Sequence, residues 1–169
     1  QRSTTRPGLA LDHFAATLRL AATRRWRVFY LGGAKGIAER AMASIARDLP
    51  ELTYATHHGY FDRAPDSAQN QAVLRAVRRF APDLLWVGFG MPLQERWIDR
   101  HAKNLEAPVI WACGATADYF AGVQPTAPRW MGRTGLEWLH RLASQPRRLG
   151  TRYLLEPWVL LPSALADLR

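Results

Sequence analysis

Cysteine is nearly absent from this chain. Cys113 is the single one among 169 residues, so no internal disulfide can form and nothing in the sequence calls for an oxidising compartment. Lysine is almost as scarce, with Lys35 and Lys103 the only two among 23 basic residues. Long hydrophobic runs are lacking too. The longest, around Leu84 to Met91 and Trp158 to Leu168, fall short of the ~18 to 20 residues that span a bilayer, and Pro162 interrupts the second, so no membrane crossing is expected. Neither G-x-G-x-x-G nor a Walker sequence occurs, which removes the most specific nucleotide fingerprints. The chain begins at Gln1 without an initiator methionine or apolar signal segment, and residues upstream of it are expected to be missing. Hydrophobic residues at 48% and charged residues at 22% are ordinary globular usage, excluding disordered, collagen-like and coiled-coil classes.

What is present in excess is arginine. The chain carries 23 basic against 14 acidic residues, a net charge of +9. Guanidinium forks pair bidentately with phosphate, so the balance favours a nucleotide, a nucleic acid or an anionic membrane face. A biased composition would explain the total equally well, and position says more. Arg129, Arg133, Arg141, Arg147, Arg148 and Arg152 stand against one acid, Glu137, in a single stretch.

Apolar residues alternate between two periods along the chain. Phe14, Leu18 and Ala22 recur at helical spacing after Asp12, a candidate N-cap, and the run Val28 to Leu31 then stops at Gly32-Gly33. Helices are expected over 37–49 and 66–80, and from Pro92 to about Asn104. A short strand is expected over 52–55, a buried one over 84–87 and a fourth over 108–111. Strands alternating with helices imply a parallel sheet covered on both faces. The expected class is α/β: a Rossmann-like, doubly wound parallel sheet with a C-terminal basic helical appendage. Residues 1–128 would form the Rossmann-like domain and 129–169 the Trp-rich helical appendage.

In such sheets ligands sit at the carboxyl ends of the strands, and four ends are marked here. The first carries Gly32, Gly33 and Gly36, glycines that either cradle a phosphate at a helix N-terminus or make a tight turn. The second, Thr56 to Phe61, holds adjacent His57 and His58, which point apart and lack the spacing of a zinc site, so polar loop contacts are expected. The third runs Gly88-Phe89-Gly90-Met91-Pro92-Leu93-Gln94-Glu95. Gln94 there suits sugar or phosphate groups, and Glu95 either joins the site or complements the helix dipole. The fourth holds Asp118, which can accept from a base or ribose, or cap a helix.

These four loops, in this order, with Ala121-Gly122, Ala127-Pro128-Arg129-Trp130-Met131 and the tail Glu137-Trp138-Leu139-His140-Arg141-Leu142, resemble the bacterial WecG/TagA/CpsF glycosyltransferase family over residues 12–155. The resemblance implies an inverting transfer of a sugar from a UDP-sugar to a sugar on undecaprenyl diphosphate, in cell-surface polysaccharide synthesis at the cytoplasmic face of the plasma membrane. It implies that Asp118 holds the uridine, that Tyr60 lines its pocket and that Gln94 faces the sugar-diphosphate junction as the catalytic-site residue of this chain. Gly32, Gly33, Gly88, Gly90 and Glu95 complete the nucleotide-sugar set. The family's general base is an aspartate of an N-terminal Asn-x-Asp-Gly-like motif, and nothing before Asp12 matches it, so that base is expected outside this chain.

No Asp-x-Asp pair occurs, so no cofactor and no obligatory metal is expected. In the tail, tryptophans and leucines interleave with Arg141, Arg147, Arg148 and Arg152, a pattern that suits both an acceptor diphosphate and an anionic membrane surface. A homo-oligomer is left open. Two rival readings are a nucleic-acid-binding basic module and an NAD-dependent oxidoreductase. The first leaves the four strand ends unexplained and the second lacks its glycine motif, so no nucleic-acid partner is expected.

Overall fold

The computed structural model describes residues 9–114, 116–123, 131, 134–144 and 150. In chain order the elements are α1 (Leu9–Arg24), β1 (Arg27–Gly32), α2 (Ile37–Ala46), β2 (Thr53–His57), α3 (Ala68–Phe80), β3 (Leu84–Gly88), α4 (Leu93–Leu105), β4 (Val109–Ala112), α5 (Thr116–Phe120) and α6 (Glu137–Ser144). Residues His13–Gln124 form one compact unit, and α6 belongs to a second.

Four parallel strands lie in the order β2-β1-β3-β4. The central pair is apolar on both faces, as a strand covered twice must be. Register places Val28 opposite Leu84 and Tyr30 opposite Trp86 on one face, with Phe29 opposite Leu85 and Leu31 opposite Val87 on the other. The first face is covered by α1 and α2, whose Phe14, Leu18, Ile37, Ala41 and Met42 are buried, with Phe120 of α5 packed beside them. The Phe14 ring stacks on Trp86 with centroids 3.8 Å apart. The second face is covered by α3 and α4 through Val73, Leu74, Val77, Trp97 and Leu105. Helices on both faces of a parallel sheet make this the α/β, Rossmann-like architecture.

Several boundaries differ from expectation: α2 ends at Ala46 and not at 49, α3 starts at Ala68 and not at 66, and β2 runs on to His57. Helix α1 starts at Leu9, so Asp12 lies inside its first turn instead of capping it. Leu9, Ala10 and Leu11 are strong helix formers that carry the helix upstream of the polar residue. Helix α3 does have a side-chain cap, Ser67, whose Oγ accepts from the Asn70 N–H at 3.0 Å.

Between α3 and α4 lies a buried polar network. Asn70 is fully buried, and its Oδ1 accepts from Trp97 Nε1 at 2.9 Å. Its Nδ2 donates to the Pro65 carbonyl at 3.2 Å and meets His101 Nε2 at 3.3 Å. An amide nitrogen can only donate, so His101 Nε2 accepts and the neutral ring carries its proton on Nδ1. Removing one partner of such a network strands a buried donor at about 1–3 kcal/mol.

Burial, and secondarily the positive charge of Arg100, pushes the His101 pKa below its ordinary 6.5. In acid below that value the unfolded chain therefore takes up a proton that the folded ring refuses, and stability falls as pH drops. Urea unfolding followed between pH 7.5 and 5.5 is expected to show a steeper loss for the native chain than for His101→Leu. Parallel slopes would remove His101 as the cause.

Candidate functional site

The strand order reverses between β1 and β3, because successive connections leave β1 in opposite directions, and a parallel sheet opens a crevice above such a point. The two strands end in Gly32 and Gly88, paired in register. A Cβ added at Gly32 would stand 2.6 Å from the Gly88 carbonyl oxygen, and one at Gly88 would strike the Gly114 carbonyl and the Tyr30 hydroxyl. Only glycine fits at either position. The consequence is a floor of bare backbone: Gly33 N–H donates to the Gly88 carbonyl at 3.4 Å, and Gly59 N–H to the Gly33 carbonyl at 2.8 Å.

The loop after β2 folds inward over this floor. Gly59 is packed so that an added Cβ would lie 3.2 Å from Gly32 Cα and 2.9 Å from the Phe89 ring. Tyr60 then turns outward and is 77% exposed, while Phe61 turns in to join the α3/α4 face. A large aromatic ring standing free at the rim of a crevice is a surface on which a flat ligand can stack. His58 Nδ1 is buried without a hydrogen-bond partner among the described residues.

Gln94, in the first turn of α4, is buried. Its Oε1 accepts from the backbone N–H groups of Gly90 and Gly114, each at 3.2 Å, and its Nε2 donates to Glu95 Oε1 at 2.7 Å. One carboxamide thus fastens the loop after β3 to the loop after β4, and Glu95 orients that carboxamide. Amide geometry leaves Nε2 a second hydrogen to donate. Gly90 adopts a positive φ of 86°, and the peptide between Met91 and Pro92 is cis.

Asp118 sits in the first turn of α5, which packs on α2. A Cβ placed on Gly33 would lie 3.8 Å from Asp118 Oδ1, so the carboxylate stands directly beside the glycine turn. Cys113 lies just before, where its N–H donates to the Val87 carbonyl at 2.8 Å. Burial pushes its thiol up to about 12, which keeps it protonated and unreactive as a nucleophile. Among the described residues, no group of three His, Cys, Asp or Glu side chains could hold a metal ion.

The fold therefore gathers Gly32, Gly33, Tyr60, Gly88, Gly90, Gln94, Glu95 and Asp118 on the carboxyl edge of one sheet. Arg147, Arg148 and Arg152 lie outside the described residues, as does the side chain of Arg141, whose backbone is in α6. The marked strand ends include Gly59 and Gly114, to which sequence reasoning gave no role of their own, and it missed Arg63 altogether. Their roles come from long-range contacts with Gly32, Gln94 and Phe89, and no local spacing signals those. Among the described residues, no helix is long and apolar enough to cross a membrane.

The family model described as "Glycosyl transferase WecG/TagA/CpsF family" matches residues 9–169. Curated relatives from Staphylococcus aureus strains MW2 and NCTC 8325 / PS 47 are each named N-acetylglucosaminyldiphosphoundecaprenol N-acetyl-beta-D-mannosaminyltransferase. Each is 31% identical over 144 residues, covering 85% of this chain and 54% of the relative. The chain thus spans about half the length of the curated relatives it matches.

Truncating Gln94 to alanine is expected to lower the free energy of unfolding by about 2 kcal/mol, because two backbone N–H groups lose their acceptor. Urea denaturation measures this. A loss below ~0.5 kcal/mol would mean that water replaces the clip without cost.

Proposed function

This chain belongs to the WecG/TagA/CpsF glycosyltransferase family, and from that premise we propose that it forms the donor-binding part of an inverting transferase. The reaction moves a sugar from a UDP-sugar to a sugar carried on undecaprenyl diphosphate. The observation that carries this reading is the glycine floor at the switch point, with the Asp118 carboxylate at one side and exposed Tyr60 at the rim. Backbone at Gly32, Gly33 and Gly88 lets a diphosphate approach without meeting a side chain. Asp118 accepts from the uridine, and Tyr60 covers it. Gln94 holds the β3 and β4 loops in place and turns its remaining Nε2 hydrogen to the junction of sugar and diphosphate. The relatives' names supply the acceptor class, a sugar on diphosphoundecaprenol.

Inversion needs a base on the face opposite the departing UDP, and none of the site acids above has that role. Glu95 is engaged with Gln94, and Asp118, beside the Gly33 turn, is assigned to the uridine. The base is assigned to a segment outside this chain. The reading requires no cofactor and no obligatory metal. Arg141, Arg147, Arg148 and Arg152 are assigned to the acceptor diphosphate and the anionic headgroups around it, and the protein is assigned to the cytoplasmic face of the plasma membrane as a peripheral protein, with a homo-oligomer compatible. Each arginine near anionic lipid contributes about 1 kcal/mol.

Calorimetry with UDP and NAD side by side tests the nucleotide. Binding of UDP alone is expected, and a preference for NAD would sink the reading. Asp118→Asn should weaken uridine and UDP alike, by about tenfold, since it removes a charged acceptor from the nucleoside. For the appendage, replacing Arg141, Arg148 and Arg152 together by glutamine is expected to cut partitioning onto phosphatidylglycerol vesicles roughly a hundredfold. Unchanged sedimentation with vesicles would return these residues to a structural role.

A further inference from the structure

The loop between β2 and α3 carries a cation that the crevice reading above does not use. Arg63 lies two residues beyond Phe61, half-buried, and its Nη1 donates to the Gly59 carbonyl at 2.5 Å. Its guanidinium carbon stands 5.7 Å from the centre of the Phe61 ring and 5.2 Å from that of Phe89. Those two rings meet edge to face, 5.6 Å apart. Gly59 follows β2 and Phe89 follows β3, so Arg63 is fastened on both sides of the carboxyl end of β1, which lies between those strands. Among the described residues, no carboxylate pairs with it.

The loop that bears Arg63 is itself held. Asp62 N–H donates to Gln69 Oε1 at 2.9 Å, Ser67 Oγ to the Asp62 carbonyl at 2.6 Å, and Gln71 Nε2 to the Pro65 carbonyl at 2.8 Å. Asn70, locked in the network with Trp97 and His101, reaches the same Pro65 carbonyl. A methionine or leucine would cover the two rings as well as a guanidinium does. A partly desolvated cation costs free energy unless an anion meets it, and stacking on phenylalanine returns only about 0.5–1 kcal/mol. Of its five N–H donors one is engaged, which leaves an edge of the fork open for a bidentate anion. Lys35, in the glycine turn, is the other cation of these loops, but it is exposed.

We propose that Arg63 is a donor-recognition residue whose guanidinium pairs with the diphosphate bound over the glycine floor. This rests on the reading of the crevice as a nucleoside-diphosphate site. The rings and the Gly59 carbonyl hold the fork before ligand arrives, so little side-chain entropy is lost on binding. Arg63 would therefore distinguish phosphate number and leave the nucleoside unread.

The test titrates uridine, UMP and UDP into the full chain and into Arg63→Met and Arg63→Lys, with thermal unfolding measured on each. Arg63→Met is expected to weaken UDP by about 10- to 100-fold and to leave uridine within a factor of two. Arg63→Lys, which keeps the charge and loses the fork, is expected to fall between, and it serves alone if the methionine variant fails to fold. Equal losses for uridine and UDP would mark Arg63 as packing and overturn the proposal. So would unchanged UDP affinity in either variant. If the unaltered chain binds no UDP, the crevice reading itself fails, an outcome recognisable before any variant is made.

Discussion

Two strands of this sheet finish so close together that no side chain can stand between their ends. Gly32 and Gly88 are in register, and the carbonyl of Gly114 closes the space above Gly88. The rest of the carboxyl edge is arranged around that constraint. Backbone that would elsewhere be covered by Cβ atoms is bare, the loops from β2 and β4 pack directly onto it, and side chains with chemistry enter from the periphery. The strand order decides where this happens, since a reversal between β1 and β3 is what opens the sheet there.

Holding bare loops still requires polar contacts, because glycines contribute no packing of their own. Two side-chain devices supply them. On the α3/α4 face, Asn70 joins Trp97, His101 and the Pro65 carbonyl, so that the long connection out of β2 is anchored to the core. At the top of α4, Gln94 gathers the N–H groups of Gly90 and Gly114. Asn70 has both Nδ2 hydrogens and its Oδ1 engaged, whereas Gln94 keeps one Nε2 hydrogen beyond the two N–H groups it accepts and the Glu95 carboxylate it meets. Arg63 occupies the space that the first device stabilises, which gives it a defined place despite lying in a loop.

Much of this was legible beforehand. Val28 to Leu31 and Leu84 to Val87 are uninterrupted apolar runs stopped by glycine, and both became central strands. Phe14, Leu18 and Ala22 recur at helical spacing, and all three are buried on one face of the sheet. The glycines at strand ends, together with the family resemblance, marked the edge where the candidate residues gather. Other features could not be read. Asp12 looked like a cap because it is polar, yet the leucines and alanine ahead of it extend the helix. Gln94 looked like a ligand group, and nothing nearby in sequence indicates that Gly114, twenty residues on, donates to it. Arg63 was one arginine among many in an arginine-rich chain until the fold brought Phe89 to it. Local periodicity carries no information about such partners, which only the packed sheet brings together.

The sharing of one carboxamide by two loops bears on how this scaffold can diversify. In many sheets of this kind each connecting segment can be exchanged as a separate module, because neighbouring segments touch only through the strands beneath. Here Gly90 and Gly114 hang from the same oxygen of Gln94. A segment grafted after β4 without an N–H at the Gly114 position would unseat its neighbour after β3 as well. The β2 connection is coupled to its neighbours too, through the Gly59 N–H on the Gly33 carbonyl and Arg63 on the Phe89 ring, so exchanging any one of these segments disturbs the others.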